Sequence, residues 1–155
     1  MLVYRYLSKR ELDAFEQGDI DSVGAEYFNK KQDFNNTHKY REGVKYLHFF
    51  KNVKDIKHIR EVRDDNKEHF LCQFDMPFLT LLMHSGTGYY SSSGYDIDYE
   101  TVKEYAVPTD DVKAEYLKGY ISTKDMSKEE MNGEISLDRL TMPEIPHDLG
   151  EDFSQ

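Results

Sequence analysis

Three positions in this 155-residue chain carry a reactive or charged group inside a run of β-forming residues. Arg5 stands between Tyr4 and Tyr6, where a guanidinium is costly to bury unless it meets an anion. His48 or Tyr46 projects from a run otherwise rich in apolar residues, and Glu104 is a carboxylate among Val102, Tyr105, Ala106 and Val107. Each also has a plain structural explanation. Arg5 can face solvent on an edge strand, His48 can be a hydrogen-bonded core residue, and Glu104 can alternate outward. The remaining candidates are weaker. Gly86-x-Gly88 fits a flexible turn better than a phosphate cradle, His58 with Asp55 fits a surface pair, and Cys72 sits in an apolar run as a buried thiol. There is no Walker loop, Gly-x-Gly-x-x-Gly, Gly-x-Ser-x-Gly or His-Glu-x-x-His, which excludes ATPase, Rossmann, elbow-type hydrolase and zincin chemistry.

These residues need strands and short helices to hold them. Leu2–Leu7 reads as a first strand, with Leu2, Tyr4 and Tyr6 on one face and Val3, Arg5 and Leu7 on the other. Ser8-Lys9-Arg10-Glu11 is a capping box for a helix that buries Leu12, Ala14 and Phe15 and stops at Gly18. Residues 19–43 read mostly as loop. Val44–Phe50 is a second strand placed deep in the sheet, with Val44, Tyr46, His48 and Phe50 on one face. Asn52 can cap a helix with a stripe of Ile56, Ile59 and Val62, Phe70–Phe74 is a third strand, and Asp75 with Pro77 starts a helix anchored by Leu79, Leu82 and Met83. Gly86–Tyr95, with three glycines and three tyrosines, reads as a functional or flexible loop. Strands follow at Thr101–Val107 and Glu115–Ile121. From Ser122 onward the composition shifts to an acidic, loosely packed tail, 123–155, leaving 1–122 as the folded domain. The sum is one α+β domain with a central, mostly antiparallel or mixed sheet and a few short helices.

Composition narrows the function further. Residues 1–70 hold 14 Lys/Arg and 13 Asp/Glu (+1), whereas 71–155 hold 6 and 17 (−11), so the second half repels a phosphate backbone. The longest apolar run, Phe78–Met83, is too short to span a bilayer. With one cysteine and no signal-peptide pattern at Met1–Arg5, a cytoplasmic protein is expected.

The order of these features along the chain resembles the ADP-ribosyltransferase superfamily. Leu2-Val3-Tyr4-Arg5-Tyr6-Leu7-Ser8 is similar to the family's first strand, Gly43–Phe49 to its second, and the Gly86–Tyr95 loop leading to Glu104-Tyr105-Ala106-Val107-Pro108 to its third element, over roughly residues 2–122. The resemblance implies that NAD is a substrate and no metal is used. It implies that Glu104 and Arg5 are catalytic, that Arg5, Tyr6, Tyr46 and His48 bind NAD, and that Tyr89 and Tyr90 contact an unknown acceptor, protein more than nucleic acid. Val102 replaces the second acidic residue of arginine-directed members, and no Ser-Thr-Ser stands in the second strand; Asp98 and Glu100 do have the acidic spacing, which makes Glu100 the rival catalytic residue. A relative without activity fits the same pattern. The alternative is a non-enzymatic acidic interaction protein, of a phage or mobile-element type, that covers a basic partner surface. A transferase requires Arg5 and Glu104 to face one cleft, and a structure with the two on opposite faces of the sheet sinks that reading; the acidic interaction protein instead predicts a continuous acidic surface and no such cleft.

Overall fold

The computed structural model describes residues 1–23, 26–28, 43–56, 59, 67–77, 89–91, 94–96, 104–133 and 135–144. The opening β-forming run becomes β1 (Leu2–Ser8). Ser8 ends it by accepting from the Glu11 amide at 3.2 Å, while the Glu11 carboxylate accepts from the Ser8 amide at 3.0 Å. That reciprocal cap satisfies amides a helix start leaves open and begins α1 (Lys9–Glu16), which buries Leu12 and Phe15. Gly18, at φ +82°, stops it: the Gly18 and Asp19 amides donate back to the carbonyls of Phe15 and Ala14, both at 2.9 Å.

Beyond α1 come β2 (Glu26–Phe28), β3 (Val44–Phe50) and β4 (His69–Asp75). A separate hairpin follows, β5 (Tyr89–Ser91) with β6 (Gly94–Asp96), and then β7 (Glu104–Pro108) and β8 (Leu117–Ser122). Among the described residues six strands form one sheet, in the order β2-β3-β1-β4-β8 with β7 also on β3, and every pairing is antiparallel. β1 and β4 pair along their full length, from Leu2 opposite Asp75 to Ser8 opposite His69. β1 and β3, by contrast, are in register at Tyr4 and Phe50. The α+β class with an antiparallel sheet is therefore as expected.

Both faces of the sheet are covered, so the strands read as near-continuous apolar runs. On one face Val3, Leu7, Leu47, Phe49, Cys72, Phe74, Tyr105 and Val107 pack with Leu12 and Phe15 of α1. On the other, Tyr4, Leu71 and Ile121 pack under Val53, Ile56 and Ile59 and under Met126, Met131, Ile135 and Leu140. Each large side chain buried this way contributes about 1.5–3 kcal/mol of transfer free energy.

Several sequence expectations change. β2 lies in the stretch expected to be loop, and β5 and β6 give paired structure to part of the Gly86–Tyr95 stretch. Asn52 precedes a single 3-10 turn, Val53–Asp55, although Ile56 and Ile59 are buried as expected; Val62 and the 79–83 helix lie outside the described residues. The tail boundary at 122 does not mark the end of packing. A second capping box at Ser127 and Glu130 opens α2 (Lys128–Met131), Arg139 grips Glu130 at 2.8 Å, and Thr141 bridges Tyr120 of β8. Among the described residues no helix is long and apolar enough to cross a membrane.

Candidate functional site

Tyr46 pairs with both Glu26 and Pro108, and Phe50 with both Tyr4 and Glu104. β7 therefore runs along one edge of β3, while β2 and β1 divide the other edge between them. In an antiparallel ladder, alternate residues point their backbone groups to the same edge. His48, midway between Tyr46 and Phe50, thus directs its carbonyl to the shared edge, past the end of β2 and before the β1 contact at Tyr4. Arg5 reaches into this slot: its Nη1 donates to the His48 carbonyl at 3.0 Å.

The His48 ring continues the chain of contacts. His48 is opposite Ala106, so Glu104 is its diagonal neighbour on the same face, and His48 Nδ1 lies 2.7 Å from Glu104 Oε2. The side chains are 13% and 28% exposed, which screens them from water without sealing them off. An ionised carboxylate can only accept, so with Glu104 charged the Nδ1 atom carries the shared proton.

Arg5 and Glu104 stand on opposite faces of the sheet, so they do not form the single cleft that a transferase requires. The pleat sends Arg5 out with Val3 and Leu7 toward α1, and Glu104 out opposite to its neighbour Tyr105, which packs on the α1 side. Arg5 is corrected from a residue facing Glu104 to one that enters the slot from behind, because its guanidinium is at β3 while its Cβ is on the α1 face. Directly opposite Arg5 on β4 is Cys72, fully buried; burial pushes its thiol well up, and the nearby Arg5 only partly offsets this. The thiol stays protonated and is a core residue, as expected.

Of the other expected site residues, Tyr6 shares the His48–Glu104 face and meets His69 edge-on, with ring centroids 5.7 Å apart. Tyr46 shares that face too, but it is completely buried, so its ring is part of the interior and is not presented to a ligand. Tyr89 and Tyr90 lie in β5, outside the main sheet and paired with Asp96 and Tyr95. Glu100 lies outside the described residues. His69 is the neighbour the sequence did not single out, and its position after Lys67-Glu68 at the start of a strand carried no signal of a site.

The arrangement joins three strands through one histidine: guanidinium on its carbonyl, carboxylate on its ring. It ties β1 and β7 to β3 beside the end of β2. No family model, curated protein or solved structure matches the chain.

Proposed function

We propose that this chain is a non-enzymatic acidic interaction protein that covers a basic surface on a partner protein. The observation that carries this is the placement of Arg5 and Glu104 on opposite faces of the sheet, which denies a transferase the single cleft it needs. The charge split supports the same reading: residues 71–155 hold 17 Asp/Glu and 6 Lys/Arg, so that half of the chain attracts a cationic surface and repels a phosphate backbone. The linkage Arg5–His48–Glu104, at 3.0 and 2.7 Å, then serves the architecture by joining β1 and β7 to β3.

The test pairs nicotinamide release from NAD, followed by NMR, and the NAD-induced shift in Tm with binding of a lysine-rich polypeptide as salt is raised. Binding that weakens with salt is expected, with neither release of nicotinamide nor stabilisation by NAD. Release or stabilisation by NAD would overturn the proposal and favour the transferase, and a failure to bind the cationic polypeptide at low salt would overturn it as well.

A further inference from the structure

Resting on that reading, we propose that the segment 136–144 is a rigid docking element whose Leu137 and Met142 meet an apolar patch rimmed by lysine and arginine on the partner protein. Among the described residues these are the most exposed large apolar side chains, at 56% and 65%. Single apolar side chains scattered over a surface need no explanation. These two differ because they stand close together in sequence on a segment whose other contacts hold it in place.

The segment is fastened before, within and at its end. The Ile135 carbonyl accepts from the buried Gln73 amide at 3.3 Å, and Ile135 packs on the face opposite α1. A 3-10 turn, Leu137–Arg139, follows, from which Arg139 reaches Glu130 and the Asp125 carbonyl while Leu140 is buried. Thr141 meets Tyr120 of β8, and the Glu144 amide donates to the Glu16 carboxylate of α1 at 2.7 Å. The chain thus passes from one face of the sheet to the other and leaves Leu137 and Met142 largely in solvent. Because the segment is ordered on folding, a partner that covers it removes little further conformational freedom. Charge decides the occupant. Residues 136–155 hold five Asp/Glu and one Lys/Arg, and that one, Arg139, is engaged by Glu130. A second copy of this chain would bring the same acidic segment, whereas an apolar patch with a cationic rim complements both the side chains and the charge.

The probes are a synthetic amphipathic helix of leucine and lysine and a polylysine of equal charge, with binding followed by fluorescence anisotropy. The unaltered protein is expected to bind the leucine–lysine helix at least about tenfold more tightly than polylysine. Leu137→Ser combined with Met142→Ser is expected to weaken the helix by about 10- to 100-fold and to leave polylysine within about twofold. Both positions are exposed, so the double variant is expected to fold, which circular dichroism and Tm establish. Equal affinity for the two probes, or no selective loss in the double variant, would overturn the proposal. Arg139→Gln keeps both apolar side chains and makes the segment more acidic. Charge alone would tighten binding of the helix, whereas loss of the rigid presentation is expected to weaken it by about threefold or more. Unchanged or tighter binding would overturn the rigid element.

NMR of methyl-labelled methionine locates the contact. The Met142 methyl is expected to shift on addition of the leucine–lysine helix, while the buried Met76 methyl is not. Binding with no shift at Met142 would overturn the proposal. So would a dimer of the unaltered chain in sedimentation that the double variant dissociates, since the occupant would then be a second copy. Failure of this inference and failure of the acidic reading are told apart by salt. Binding of the helix that is indifferent to salt, with no binding of polylysine, would overturn the acidic reading and leave the docking segment standing. Salt-sensitive binding of both probes that the double variant does not change would overturn the docking segment and leave the acidic reading standing.

Discussion

Arg139 shows how much one side chain can hold in a segment of little regular structure. Its Nε and Nη2 donate to the two Glu130 oxygens at 2.8 and 3.0 Å, and Nη2 also donates to the Asp125 carbonyl at 2.9 Å. The Arg139 hydrogen bond is the main cause holding the Glu130 carboxyl well down, to about 2 from an ordinary 4.5. A carboxyl depressed in the folded state stabilises fully above its unfolded value and loses that contribution as pH falls toward its folded one. The Tm difference between the unaltered protein and Arg139→Gln is therefore expected to be constant above about pH 5 and to narrow between pH 4.5 and about 2. A difference independent of pH would show that Arg139 acts through its contact with Asp125 alone. At this same scale, the anomaly of Arg5 was legible, because a guanidinium among β-formers stands out by type. Where it went was not legible, since alternation gives the direction of Cβ while a long side chain can turn into a gap between strands.

At the scale of elements, Gly119 is the position on which the C-terminal segment depends. A Cβ there would stand 2.7 Å from Leu140 Cβ and 3.0 Å from the Thr141 carbonyl oxygen, neither of which is the movable end of a side chain. The close approach lets Thr141 and Tyr120 exchange backbone hydrogen bonds at 2.7 and 3.0 Å. Gly119→Ala is expected to cost about 1–3 kcal/mol in urea or thermal unfolding and to increase proteolysis after residue 122. Unchanged stability would mean that the segment shifts at no cost and is not anchored at β8. The sequence hid this packing because Met126, Met131, Ile135 and Leu140 follow neither a period of two nor of 3.6, and the prolines and Asn132-Gly133 around them read as loop. β2 was hidden for a related reason. Three residues carry too little local signal, and Glu26–Phe28 is a strand because Val44–Tyr46 offers it an edge. The capping box at Ser8 was legible because all its partners lie within four residues.

For the molecule as a whole, the sheet divides into two groups of strands, β2-β3-β7 and β1-β4-β8, in register with each other at Tyr4 and Phe50. The α1-side core spans the division, since Leu47, Phe49, Tyr105 and Val107 pack in one cluster with Val3, Cys72 and Phe74. The opposite core draws its sheet residues mainly from β1, β4 and β8, with Phe50 at its margin. No local pattern encodes such a division, because it arises from which strands become neighbours. Its consequence lies in amide exchange. Hydrogen-exchange protection in low denaturant is expected to sort the strand amides into two sets with separate opening free energies, one for β3 with β7 and one for β1, β4 and β8. A single shared value would show that the sheet opens as one. With two sets, the halves part like a book whose spine is the α1-side core, and the pages open where His48 and Glu104 stand.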